Sequence, residues 1–210
     1  MKDIKGLGDF SVMLSGIALG KTTPGVSENR EETDGRVYKI LRPIDMGTKA
    51  ILEPDDFCNL PELLLTDVQQ KKIKPHHLLR ENDIVITIRG TIFRASIIKD
   101  LHNSPNTIVS NNMMIIRPKV TYPEFIVMYL NSEWFDKNHI QKNHRPMLMI
   151  SIKEMKALSL KLPEDSKRVL LTDVFYSAEN RHAQLKEAHK ATQRLSESVL
   201  FEALNNPIID

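Results

Sequence analysis

After Pro163 the chain runs to Pro207 without a Gly or another Pro. The stretch of about 40 residues between them is rich in Ala, Leu, Glu, Lys, Gln and Arg, the residues most compatible with a helix interior. Asp165 or Ser166 is suited to the N-cap, and Asn205-Asn206-Pro207 to the end. The composition predicts one helix, roughly 60 Å long at about 1.5 Å per residue. A small domain is not that wide. The chain is therefore expected to divide into a folded unit over 1–163 and a helical unit over 164–210.

The helix carries a heptad stripe. Leu171, Val174, Ala178, Leu185, Ala188, Leu195 and Val199 fall on a and d positions, and Arg181, Thr192 and Glu202 interrupt the same seam. A fully solvated helix has no use for such a stripe. Packing on the chain's own domain is one reading. A partner helix in a coiled-coil-like pair, from a second copy or another protein, is the favoured one.

Before Pro163 short apolar runs alternate with Gly, Pro, Asn and Asp. Residues 37–41, 84–88, 92–98 and 113–116 are β-branched or apolar runs of strand length. Residues 61–72 are expected to form a short helix. Thr121 and Glu124 have capping-box spacing ahead of an amphipathic helix through Phe125, Met128, Tyr129 and Leu130. Ser151 and Glu154 repeat that spacing, and 158–162 reads as a last strand. The predicted fold class is α+β: a mixed α/β domain followed by the long helix.

Composition sets limits. Hydrophobic residues make up 41% and charged residues 27%, which argues against wholesale disorder. The single cysteine, Cys58, excludes an internal disulfide and fits a reducing compartment. Neither a secretory leader nor an apolar run long enough to span a membrane stands out, so a cytoplasmic location is expected.

Catalytic patterns fail on spacing. Gly16 and Gly20 ahead of Lys21-Thr22 resemble a phosphate-binding loop, but three residues separate the glycines where the Walker motif has four. His76-His77 lack partners at metal-ligand spacing. Cys58 lies among Asp55, Asp56 and Glu62, a poor setting for a thiolate nucleophile. Asp55 and Glu154-Met155-Lys156 contain fragments of a metal-dependent nuclease motif, kept as an alternative. No metal site and no catalytic residue is assigned.

The net charge of +2, from 29 basic and 27 acidic residues, conceals segregation. Residues 28–34 and 53–67 are acidic. Lys71, Lys72, Lys74, Arg80, Arg89, Arg94 and Lys99 dominate the stretch that follows. Lys142, Asn143, His144 and Arg145 form a second basic cluster. Arg pairs with guanine edges, Asn with adenine, and Lys with phosphates. Arg89 and Arg94 flank Gly90-Thr91 between two apolar runs, so they are expected at a hairpin tip suited to a groove. The candidate DNA-contacting residues are Lys21, Thr22, Lys71, Lys72, Lys74, Arg89, Thr91, Arg94, Lys142, Asn143, His144 and Arg145.

The order of motifs resembles the DNA-specificity subunits of type I restriction–modification systems. Leu7-Gly8-Asp9, Ser15-Gly16 and Thr23-Pro24 are similar to that family's opening segment. Val37-Tyr38-Lys39-Ile40 and Ile44-Asp45-Met46-Gly47 look like its first strand and turn. Leu79-Arg80-Glu81-Asn82-Asp83-Ile84 with Arg89-Gly90 resembles its Leu-x-x-Gly-Asp-Ile-Leu strand, with Asn82 where a turn glycine is common. Pro123-Glu124-Phe125 and Tyr129-Leu130-Asn131-Ser132 are the most specific match, and residues 158–163 resemble the strand that enters the conserved helix. The resemblance implies a target recognition domain that binds double-stranded DNA without catalysis. A methyltransferase subunit would hold S-adenosylmethionine, and a motor-nuclease restriction subunit can join. Full subunits hold two such units with antiparallel helices. One unit here implies a half-size form that dimerises through its helix and reads a split site. An assembly subunit of a phage-defence complex, without base readout, is the other alternative.

Overall fold

Three short apolar runs line up as the centre of a five-stranded sheet. The computed structural model describes residues 5–19, 37–63, 65–90, 93–101, 104–120, 122–140 and 148–205. The first elements are β1 (Lys5–Gly6), α1 (Leu7–Phe10), β2 (Ser11–Ser15), β3 (Tyr38–Leu41), α2 (Pro43–Met46), β4 (Ile51–Leu52), α3 (Pro54–Cys58), β5 (Glu62–Leu63) and α4 (Asp67–Lys72). A 3-10 turn at Pro75–His77 precedes β6 (Ile84–Thr87), β7 (Arg89–Gly90), β8 (Ala95–Ile98), β9 (Thr107–Val109) and β10 (Met113–Pro118). Then come α5 (Glu124–Leu130), α6 (Glu133–Phe135), a π-helical turn at Asp136–Ile140, β11 (Leu148–Met149), α7 (Ile152–Lys156), β12 (Ser159–Leu160) and α8 (Asp165–Asn205).

The main sheet has the order β2-β10-β6-β8-β4, antiparallel except for the β4–β8 pair. β6 and β8 are buried along their whole length. Successive side chains of a strand point to opposite faces, so the central strands feed two cores. Ile84, Ile86, Ile97, Met114 and Ile116 face a core closed by α1, α5 and α7. Val85, Ile98, Met113 and Ile115 face a second core with Leu41, Met46, Leu52 and Phe57. The sheet β5-β3-β9 encloses a third around Tyr38, Leu63, Leu65 and Ile108.

Three local expectations are corrected. Residues 61–72 are not one helix: Leu63 and Leu65 are drawn into the third core, and the helix starts only after Thr66. There Thr66 Oγ1 accepts from the Gln69 N–H at 3.4 Å while Gln69 Oε1 accepts from the Thr66 N–H at 3.0 Å. On α5 the helix begins at Glu124 with Pro123 at the N-cap position, and Glu124 is buried against Lys99 and Tyr176, while Thr121 lies outside the described residues. The buried apolar face of α5 is Ile126, Val127 and Leu130, with Phe125, Met128 and Tyr129 only partly buried. The capping box at Ser151 forms, with Ser151 N–H donating to Glu154 Oε2 at 2.8 Å and Glu154 N–H to Ser151 Oγ at 3.2 Å.

The helix α8 is continuous over 41 residues. It begins at Asp165, and the Glu164 carbonyl accepts from the Arg168 N–H, so the N-cap position falls to Glu164 and not to Asp165 or Ser166. Its root packs on the first core through Phe175, buried to 4% exposure, with Tyr176 partly buried beside it. Every residue from 181 to 205 is exposed. From residue 181 onward the seam is therefore open to solvent: Leu185, Leu195 and Val199 stand 55–66% exposed, whereas Leu171 nearer the root is partly buried. The sequence pattern missed the residues that dock the root, Phe175 and Tyr176, because they lie off the a and d positions. Among the described residues no helix is long and apolar enough to cross a membrane.

Candidate nucleic-acid interface

The hairpin expected around Gly90 is present, with Ile84 level with Ile97 and Ile86 level with Ala95. The base of its tip is held by Asn131, whose Oδ1 accepts from the Ala95 N–H at 2.9 Å and whose Nδ2 donates to the Ala95 carbonyl at 2.8 Å. The amide side chain thus completes the strand as a neighbouring backbone would. Ser132 then caps α6 by accepting from the Phe135 N–H at 3.1 Å. The Tyr-Leu-Asn-Ser sequence is accordingly a bracket for this hairpin. Beyond the base, β7 pairs with β11, and Phe93 stacks on Phe135 with ring centroids 5.2 Å apart.

Arg89 is exposed on this braced segment, ahead of Gly90 at φ +139, a conformation that L side chains rarely adopt. Its guanidinium stands on a rigid base, the condition for a side chain that reads a groove. Arg94 behaves differently from the expectation of a projecting tip residue. It is partly buried, its Nη2 donates to the Thr48 carbonyl, and its buried Nε has no hydrogen-bond acceptor among the described residues. Arg94 therefore ties the hairpin to the turn ahead of β4.

Lys71 and Lys72 close the last turn of α4, where cations meet the negative end of the helix dipole, and Lys74 follows; all three are exposed. Next to them His77 Nδ1 accepts from the Lys74 N–H at 3.0 Å, with the His76 ring 4.2 Å away. Burial, and then the charges of His76 and Lys74, hold the His77 pKa below its ordinary value. Lys21, Thr22, Thr91, Lys142, Asn143, His144 and Arg145 lie outside the described residues. Arg89 and the lysines thus stand on separate supports, the hairpin and α4.

Other residues in the motifs are architectural. Arg117 grips the buried Asp83 below the hairpin. Asn82 adopts φ +63, the left-handed conformation for which glycine is the usual choice. At Gly16 a Cβ would stand 1.9 Å from the Ser110 carbonyl oxygen, so this glycine serves a close backbone crossing. Asp55 lies in the first turn of α3, and Glu154 caps α7. Among the described residues no three His, Cys, Asp or Glu side chains come together to hold a metal ion.

No protein family and no curated protein matches the chain by sequence. Among solved structures, the HsdS subunit from Thermoanaerobacter tengcongensis superposes with a TM-score of 0.55 at 16% identity. The match covers 96% of this chain and 44% of that one. The chain shares that fold. It spans less than half of the length of that subunit.

Proposed function

We propose that this chain is a non-catalytic DNA-recognition module of a type I restriction–modification or related phage-defence system. The observation that carries the reading is the fold: the match to an HsdS subunit covers 96% of this chain, and so takes in the sheet domain and the long helix together. Arg89 reads a base edge from its braced hairpin, and Lys71, Lys72 and Lys74 contact phosphates. The basic cluster at Lys142, Asn143, His144 and Arg145 adds contacts, as do Lys21, Thr22 and Thr91. A methyltransferase subunit binds S-adenosylmethionine and is directed to the site, a motor-nuclease subunit joins the assembly, and the complex works in the cytoplasm.

The exposed seam takes a second copy, antiparallel. Levelling Leu185 with the partner's Leu195 brings Ala188 level with the partner's Thr192 and sets Arg181 within a turn of the partner's Glu202. A parallel pair would face Arg181 with Arg181 and Glu202 with Glu202, which is repulsive. The polar residues of the seam thus favour one direction. Two-fold symmetry then gives a split, palindromic site.

Selection from a library of random duplexes at low salt, with the methyltransferase supplied, tests this reading. Enrichment of a two-part motif is expected, and failure to enrich any sequence would overturn it. An assembly subunit without base readout would keep complex formation and DNA-linked activity after Arg89→Ala and Arg145→Ala; a recognition module would lose the latter.

A further inference from the structure

The long helix leaves its domain through one joint, and that joint is polar as well as apolar. Phe175 is sunk in the first core. Its neighbour Tyr176 donates its hydroxyl to Glu124 Oε1 at 2.7 Å. Lys99 Nζ donates to the same oxygen at 3.2 Å and lies 4.6 Å from the centroid of the Tyr176 ring. The Glu124 side chain is only 7% exposed. One carboxylate oxygen therefore joins α5, the residue after β8, and α8. About one turn further along, Glu179 Oε2 accepts from the Ala50 N–H at 3.2 Å, tying the helix to the residue ahead of β4.

Apolar burial alone is non-directional, and Phe175 by itself would let the helix roll and swing. Hydrogen bonds to a charged group are short and oriented, and a buried carboxylate is costly without its donors. The two polar ties act on successive turns of α8, which restrains tilt as well as rotation. Leverage makes this matter. The far face of a domain of this size lies on the order of 20 Å from such a joint. A swing of about 10° moves that face by about 3.5 Å, close to the 3.4 Å step between base pairs.

We propose that Glu124, Lys99 and Tyr176, backed by Glu179, form a clasp that sets the distance between the two half-sites. These are positioning residues: they act through the angle between helix and domain and touch no base. The inference rests on the reading that paired copies bind a split duplex site.

Two measurements test it. Spin labels on the exposed Cys58 and on a cysteine from Ser198→Cys, diluted in unlabelled chain, report the distance between domain and helix within one copy. A single narrow distribution is expected for the otherwise unaltered protein, broadened severalfold by Tyr176→Phe and by Glu124→Gln. In selection from random duplexes, both variants are expected to enrich the same half-site sequences with a range of spacers in place of one. Tyr176→Phe keeps the ring and leaves Phe175 in place, so it decides the matter even where Glu124→Gln fails to fold. Equally narrow distributions, an unchanged single spacer, or an undivided motif for the unaltered protein would each overturn the clasp as the spacing device. No motif at all for the unaltered protein overturns the recognition reading instead, and the spin-label distances then still decide whether the clasp holds the helix.

Discussion

Arg117 holds Asp83 by two parallel hydrogen bonds, Nε to Oδ1 and Nη2 to Oδ2, both 2.7 Å long. The same guanidinium donates to the Leu78 carbonyl at 3.0 Å, and Asp83 Oδ2 also accepts from the Arg80 N–H at 2.9 Å. This fork fastens β10 to the turn that launches the β6–β8 hairpin. Asp83 is 1% exposed, so removing one partner strands a buried charge. Arg117→Ala is expected to cost about 3 kcal/mol of unfolding free energy, read by urea denaturation. A loss below about 1 kcal/mol would show that the fork is not a structural tie.

Gly16 gives a steric prediction. Its N–H donates to the Met113 carbonyl at 2.9 Å, and the chain crosses Ser110 too closely for any side chain. Gly16→Ala should destabilise by about 2 kcal/mol, because the backbone of two strands must separate. Thermal unfolding is the readout, and an unchanged midpoint would refute the close crossing.

The DNA reading separates arginine from lysine. Arg89→Ala is expected to weaken binding to a selected site by about tenfold and to relax preference at one base position. Replacing Lys71, Lys72 and Lys74 by Ala should weaken all sequences alike and reduce the slope of log affinity against log salt by about 0.9 per lysine. Titrations at several salt concentrations distinguish the two patterns. An unaltered slope would remove α4 from the interface.

The helix pair is testable by charge exchange. Arg181→Glu or Glu202→Arg alone should shift the protein toward monomer in sedimentation, and the double variant should recover the dimer. Leu195→Asp should give monomer at all concentrations, since it removes both Leu185–Leu195 layers. Failure of the double variant to recover would exclude the antiparallel register.

His77 predicts a pH effect. Burial and two neighbouring cations hold its folded pKa below the ordinary 6.5, so the unfolded chain binds the proton more readily. Its contribution to stability is therefore complete above about pH 6.5 and is lost as pH falls from there through the folded value. Urea midpoints at pH 7.5 and 5.5 should differ less for His77→Gln than for the unaltered chain.

Much of this architecture is legible along the chain. Absence of Gly and Pro after Pro163 determines the long helix, since nothing in that stretch interrupts backbone hydrogen bonding. Runs that are apolar or β-branched at most positions determine β6, β8 and β10, because a strand buried on both faces keeps few polar side chains, here Thr87 and Ser96. The spacing of Ser151 and Glu154 determines a cap, a contact that closes within one turn. What the sequence left open are the interactions between residues far apart in it. Arg94 looks like a tip residue until Thr48 meets it, and Glu124 like a cap until Lys99 and Tyr176 enclose it. In each case the local alternative was available to the side chain, and a buried polar partner from another element outweighed it. Such choices depend on which groups lose water together, and only the tertiary structure decides that.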